Sequence, residues 1–381
     1  MMTRREYLKQ GTLAGCGLAL MGARASAGTT DSRLADAPSD AHIEGRGSLK
    51  AHARKHGLLA GCAVSAANLR DDAFTRVLVE QCSVVVAENA MKFGSLRPTP
   101  DGFRFDDADA LVAFAQQHGI KVRGHNFVWH EMLPAWFAGT VTRENARKVL
   151  TGHILAVGGR YKGKIQSWDV VNEAIHVEDG RPDGLRKSPW LELVGPEYLE
   201  VAYRTARQAD PAAKLTYNEY GIESDSESDG KKRAATLALL KRLKAQGVPL
   251  DALGIQSHIA AGSKATYGKG LRELIAAAQE LGLEVYLTEL DVNDGGIQED
   301  DVSVRDRAVA EVYRDYLSCA LENKAVKSVL TWGLTDGHTW LNGIRKKQPN
   351  RLQRPLPFDA DFKPTPAFFA MRDAFDKAPR R

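Results

Sequence analysis

The chain has 381 residues, 43% hydrophobic and 26% charged, a balance that suits a soluble globular protein with enough length for one large domain or two. Its 52 Lys and Arg face 48 Asp and Glu, and the resulting formal charge of +4 is spread along the chain, which speaks against a nucleic-acid or membrane-surface binder.

The first 27 residues read as an export signal. Thr3-Arg4-Arg5-Glu6-Tyr7-Leu8-Lys9 carries paired arginines, Leu13 to Ala23 is mostly small and apolar, and Ala25-Ser26-Ala27 has the form of a cleavage site. This is the pattern of the twin-arginine route, so a periplasmic or secreted protein is expected. The apolar run is too short and too glycine-rich to span a bilayer, and no membrane contact is expected once the signal is cleaved. Leu13-Ala14-Gly15-Cys16 also has the form of a lipoprotein cleavage box, although it sits close to the arginines. Residues 28–46 are small, polar and turn-forming, and read as a linker, which leaves 47–378 as the folded domain. Beyond the signal only Cys62, Cys82 and Cys319 remain, an odd count without short spacings, so neither a disulfide framework nor a zinc site is expected.

From Ser48 onward, strand patterns alternate with helical ones. The expected strands are 58–66, 84–93, 121–130, 165–174, 214–220, 253–259, 285–292 and 326–336. Helical stretches fall at 108–118, 143–157, 196–209, 230–246, 271–281 and 305–322, and Gly119, Gly247 and Gly282 stand where helices stop. Eight strands alternating with helices predict an α/β fold, a (β/α)8 TIM barrel. No Gly-x-Gly-x-x-Gly follows the first strand, which argues against a dinucleotide fold.

In such barrels, chemistry gathers at the carboxyl ends of the strands. The fourth expected strand ends in Asn172-Glu173, where an acid at the lip of an apolar core is partly desolvated and its proton-donating form favoured. The seventh carries Glu289 and Asp291 on one face, 116 residues further on. Two acids on separate rigid strands are what hydrolysis of a glycosidic bond requires, one to protonate the leaving oxygen and one on the other side of the anomeric carbon. His258 suits either a core position or a hydrogen bond that aims Glu289. Trp332 and Trp340 suit packing or a sugar face stacked on an indole, and Glu88, Asn89 and Lys92 suit a local ion pair or contact with sugar hydroxyls. His125, His130 and His258 raise a metal alternative. No His-x-His or His-Glu-x-x-His stands at these ends, so no metal and no cofactor is expected. The basic run Arg345-Lys346-Lys347 to Arg354 suits a solvated loop, or contact with acidic substituents of a polymer.

Taken in order, Glu88-Asn89-Ala90-Met91-Lys92, Gly124-His125-Asn126-Phe127-Val128-Trp129-His130, Trp168-Asp169-Val170-Val171-Asn172-Glu173, Gly254-Ile255-Gln256-Ser257-His258, Thr288-Glu289-Leu290-Asp291 and Trp332-Gly333-Leu334-Thr335-Asp336 resemble glycoside hydrolase family 10, the endo-1,4-β-xylanases. The resemblance implies a retaining mechanism with Glu289 as nucleophile and Glu173 as acid and base, their carboxyls about 5–5.5 Å apart. It further implies that Asn172 holds the sugar 2-hydroxyl, that His258 and Asp291 support the nucleophile, and that Glu88, Asn89, Lys92, His125, Trp129, Gln256, Trp332 and Trp340 line the cleft. Trp340 would crowd a hexose C6 group. The expected partner is xylan or a xylo-oligosaccharide, met by a monomer; a β-1,4-glucanase or a non-catalytic sugar-binding barrel is the alternative. Departures are Phe93 for the usual Trp, Asn126 and Phe127 for Thr and Leu, and Glu219 and Gly221 within a usual Asn-Asp-Tyr-Asn.

Overall fold

A computed structural model describes residues 42–344 and 351–381. The expected export signal, residues 28–41 of the expected linker and Arg345-Lys346-Lys347 lie outside the described residues.

The described strands are β1 (Leu59–Val64), β2 (Val84–Ala87), β3 (Lys121–Val128), β4 (Ser167–Asn172), β5 (Lys214–Glu219), β6 (Ala252–Ile255), β7 (His258–Ala260), β8 (Glu284–Asn293) and β9 (Val326–Thr331). Neighbours pair in parallel in the order β6-β5-β4-β3-β2-β1-β9-β8, and a further pairing of β6 with β8, Ala252 opposite Glu284, closes the ring. The fold is the (β/α)8 barrel. β7 is a short ninth strand on the far end of β8, with His258 opposite Asp291. The sixth expected strand is thus two pieces, because Gln256-Ser257 breaks the ladder and Ser257 adopts a left-handed φ of 67°.

Strand period two divides the core. Val85, Ala87, Cys62 and Val64 join the large layer between strands and helices. Val84, Val86, Ala63, Leu330 and Trp332 form a smaller cluster on the opposite face, inside the barrel. The rest of that interior is polar. Arg123 donates from Nε to Ser167 Oγ at 3.0 Å, from Nη2 to Asp169, and lies over the Tyr286 ring at 5.4 Å. An ion pair shut inside a barrel is tolerated because each partner finds the other together with hydrogen bonds.

The six expected helices lie within a few residues of their predicted bounds, and Gly119, Gly247 and Gly282 follow three of them at φ 65°, 64° and 73°. Sequence patterning left out the helices Leu49–Lys55, Asp72–Gln81 and Pro366–Lys377. Asp71 caps the second of these by accepting from the Ala73 and Phe74 amides at 2.8 and 3.2 Å. Residues 42–47 carry bonds to the barrel, among them Gln81 Nε2 to Ile43 O at 2.8 Å. Cys62, Cys82 and Cys319 are buried free thiols.

Candidate active site

The carboxyl ends of the strands bring the two acids to one mouth. Glu289, on β8, is buried and accepts from Asn218 Nδ2 at 2.8 Å on one oxygen and meets His258 Nε2 at 3.1 Å on the other. The other ring nitrogen of His258 meets Asp291 Oδ1 at 2.8 Å, and Trp340 Nε1 donates to Asp291 Oδ2 at 2.6 Å. A neutral imidazole has one N–H, so both contacts are hydrogen bonds only when His258 is an imidazolium or one of the acids holds a proton. The break at Gln256-Ser257 is what turns the His258 ring toward both carboxylates.

Glu173 stands one residue past β4, buried and at φ 60°. Gln256 Nε2 and Asn172 Nδ2 donate to its Oε1 at 2.9 and 3.1 Å, and His130 Nδ1 is 3.9 Å from Oε2. The Asn172 Oδ1 accepts in turn from Gln256 Nε2 at 3.3 Å and from Asn218 Nδ2 at 2.9 Å. Because the Asn218 amide also bonds Glu289, an unbroken relay runs from Glu173 through Gln256 and Asn172 to Asn218 and Glu289. No side chain intervenes except uncharged amides.

One wall beside the acids is aromatic and cationic. Lys92 Nζ donates to Asn89 Oδ1 at 2.9 Å and lies 5.0 and 5.8 Å over the rings of Trp129 and Trp332. Asn89 Nδ2 reaches Glu88 Oε1 at 3.2 Å; burial first pushes the Glu88 carboxyl up, against the pull of Lys92. His125 packs edge-on to Trp332 at 5.4 Å, and the His258 ring lies 5.2 Å from Trp340. His125 Nδ1 bonds Asp169 Oδ2 at 2.9 Å, which ties the mouth to the polar interior, and the His125–Asn126 peptide is cis. The structure therefore brings together every site residue expected from the sequence. Among the described residues no group of three or more His, Cys, Asp or Glu has the arrangement of a metal site.

The sequence profile of glycosyl hydrolase family 10 matches residues 48–374. The chain belongs to glycosyl hydrolase family 10. The chain is 36% identical over 327 residues to endo-1,4-beta-xylanase A of Thermoanaerobacterium saccharolyticum, covering 82% of this chain and 26% of that protein. It is 38% identical over 320 residues to a thermostable celloxylanase of Thermoclostridium stercorarium, covering 76% of this chain and 78% of the relative. Its fold superposes on xylanase 10B from Thermotoga petrophila RKU-1, solved in complex with xylobiose, with a TM-score of 0.77 at 31% identity, over 87% of this chain and 97% of that one. The chain spans about a quarter of the first relative's length.

Within this family 10 barrel, two residues given no role from sequence sit against the acids. Asn218 links them, and its Oδ1 is fixed by Thr288 Oγ1 at 2.7 Å. Arg186 holds the Glu173 carbonyl at 2.8 Å. A polar residue at a strand end was the available signal for Asn218; nothing in the local sequence marks Arg186. Two of the departures, Phe93 and Glu219, have structural reasons. Phe93 stacks on His153 at 4.0 Å, and His153, driven to about 3 by burial and the nearby Arg97, is a neutral ring. Glu219 is fully buried and pairs with Lys232 Nζ at 2.9 Å, while Tyr217 Oη and the Ile175 amide donate to its Oε2 at 2.5 and 3.1 Å.

Proposed function

We propose that this barrel is an endo-acting β-1,4-xylanase that cleaves internal bonds of xylan with retention. The observation that carries the reading is the amide relay joining Glu173 to Glu289, which keeps two buried carboxyls at one mouth with neutral groups between them. Glu289, aimed by Asn218 and His258, attacks the anomeric carbon while Glu173 gives its proton to the departing sugar oxygen, leaving a glycosyl-enzyme ester and a Glu173 carboxylate. Glu173 then takes a proton from water, the hydroxide attacks the same carbon from the vacated face, and Glu289 leaves as carboxylate. Two inversions return the original anomer. Asn172 is the group placed to hold a 2-hydroxyl, and Lys92, Asn89, Glu88, Trp129 and Trp332 form the wall for the non-reducing side. Trp340, pinned to Asp291, narrows the space where a hexose would carry C6.

Proton NMR of xylohexaose cleavage tests the reading. The β anomer of the new reducing end should appear before mutarotation; the α anomer appearing first rules out the double displacement. The celloxylanase relative gives a glucan reading its own support. Faster turnover of cellohexaose than of xylohexaose would favour that reading. Sugar binding without cleavage of either would favour the non-catalytic barrel.

The same proposal extends to location. The paired Arg4 and Arg5 ahead of an apolar run support export of the folded chain by the twin-arginine route, to act as a monomer in the periplasm or outside the cell. Exchange of Arg4 and Arg5 for lysine should hold the protein in the cytoplasmic fraction, and unchanged export would end this reading.

A further inference from the structure

We propose that Arg186 is a positioning residue for Glu173, fixing the backbone of the acid and lowering the pH at which its carboxyl gives up a proton. The inference rests on the assignment of Glu173 as proton donor. Glu173 is a rare non-glycine residue at φ 60°, and both of its backbone polar groups are held: its N–H donates to Asn218 O at 2.9 Å and its C=O accepts from Arg186 Nε at 2.8 Å. Arg186 also donates its own N–H to Ala174 O at 2.7 Å, and Nη2 to Ile175 O at 3.4 Å and to Tyr220 Oη at 3.1 Å. One residue thus binds three successive carbonyls, those of residues 173, 174 and 175. It arrives there because the chain doubles back: Ile175 pairs with Leu185 in an antiparallel bridge, and the His176 amide bonds Gly184 O at 3.0 Å.

The charge matters as well as the fork. Arg186 is buried, and burial works against its charge, but Tyr220, Glu173 and Glu219 outweigh that and keep the guanidinium protonated above the ordinary arginine range. Glu219 has its own cation in Lys232 at 2.9 Å, so it does not cancel the field of Arg186 at Glu173. Other groups facing the Glu173 carboxyl include His130 past β3, the neutral amides of Asn172 and Gln256, and Glu289 across the Asn218 relay. A fixed cation beside a carboxyl favours the carboxylate, the form left when the proton has gone to the leaving sugar.

The test uses the R186M and R186K variants of the full chain and follows kcat and KM for xylohexaose against pH. R186M should lose at least about tenfold in kcat with KM changed less than about threefold. The alkaline limb of its profile should move up by about 1 pH unit, since the cation that favours the carboxylate is gone. R186K keeps the charge without the planar fork, so kcat should fall while the limb stays within about 0.3 unit of wild type. An R186M limb that stays put or moves down, or a wild-type kcat, overturns the proposal. Should R186M fail to fold by circular dichroism, R186K decides: a lowered kcat with an unmoved limb supports the proposal, and a wild-type kcat or a shifted limb overturns it. A wild-type chain that releases no oligosaccharide defeats the parent assignment instead, a result separate from any variant's.

Discussion

Asn218 is the side chain on which both acids depend. Its amide spends one hydrogen on Glu289 and one on Asn172, and Thr288 fixes which way it faces. N218A should therefore lose about a hundredfold in kcat on xylohexaose, because Glu289 loses an aiming donor and the relay is cut. N218D should be worse. It would place a second carboxyl within hydrogen-bond distance of Glu289, where two like charges cannot both ionise and one must keep a proton. Equal kcat for the two variants would show that aim, not charge, is what Asn218 supplies. The acids themselves, with His258 and Asp291, were legible in sequence because each sits inside a short motif at a strand end. Asn218 and Arg186 were not given roles because their work is done across the mouth. Asn218 meets partners 46 and 71 residues away, and Arg186 meets the Glu173 carbonyl only after a hairpin has folded back.

The element that decides the site is the break between β6 and β7. Gln256 on one side bonds Glu173, His258 on the other bonds Glu289, and Ser257 between them is clamped from behind. Its N–H donates to Glu223 Oε1 at 2.9 Å, its hydroxyl meets Tyr316 Oη at 2.6 Å, and its C=O accepts from the Asp291 amide at 3.3 Å. Sequence patterning ran one strand through this break, because Leu253, Ile255 and Ile259 fall at the strand period and the buried carboxylate that clamps Ser257 belongs to a different loop. Glu223 also accepts from the Ile222 amide at 2.7 Å, and burial, followed by the charge of Asp229, pushes its carboxyl up to about 7. The sign follows from linkage. An unfolded chain releases this proton near the ordinary value of 4.5, whereas the folded chain keeps it until about 7, so stability falls as pH rises through that window and is level above it. The drop is about 3–4 kcal/mol. Thermal unfolding of wild type and E223Q from acid to mildly alkaline pH should show the Tm of the variant, relative to wild type, climbing across the window. Parallel curves would mean that Glu223 does not titrate there. Where a clamp meets backbone, space is as tight as charge: a methyl on Gly61 would lie 1.8 Å from Val84 O, so G61A must part β1 from β2 and should lose about 1–3 kcal/mol in denaturant unfolding.

At the scale of the whole molecule the barrel keeps its chemistry and its closure at opposite ends. The acids, the aromatic wall and the broken strand all sit toward the carboxyl ends of the strands. At the other end, Arg381 closes the base. Its side chain donates to Val326 O at 2.6 Å, Leu321 O at 3.1 Å and Asn323 O at 3.2 Å, and its own amide bonds His56 O at 3.0 Å just before β1. These bonds join the entrance of β1 to the entrance of β9, the seam where the first and last strands of the ring meet, with Cys62 opposite Thr331 further up the same pair. The helix Pro366–Lys377 packs along Val302–Leu321 and Leu49–Lys55, so Arg381 finishes a layer that already covers the outside of that seam. Half-buried, with its guanidinium lowered to about 10 by that burial, it gives its hydrogen bonds to three backbone carbonyls at the base of the ring. R381A should therefore cost about 1–3 kcal/mol, read as a drop of several degrees in Tm, with no compensating contact at the base. It should leave kcat, KM and the pH limbs where they were, because the strands between base and mouth are close-packed and their registers are fixed by the ladder rather than by the seam alone. A kinetic change without a thermal one would mean that the seam transmits to the mouth, and that the two ends of the barrel are not independent.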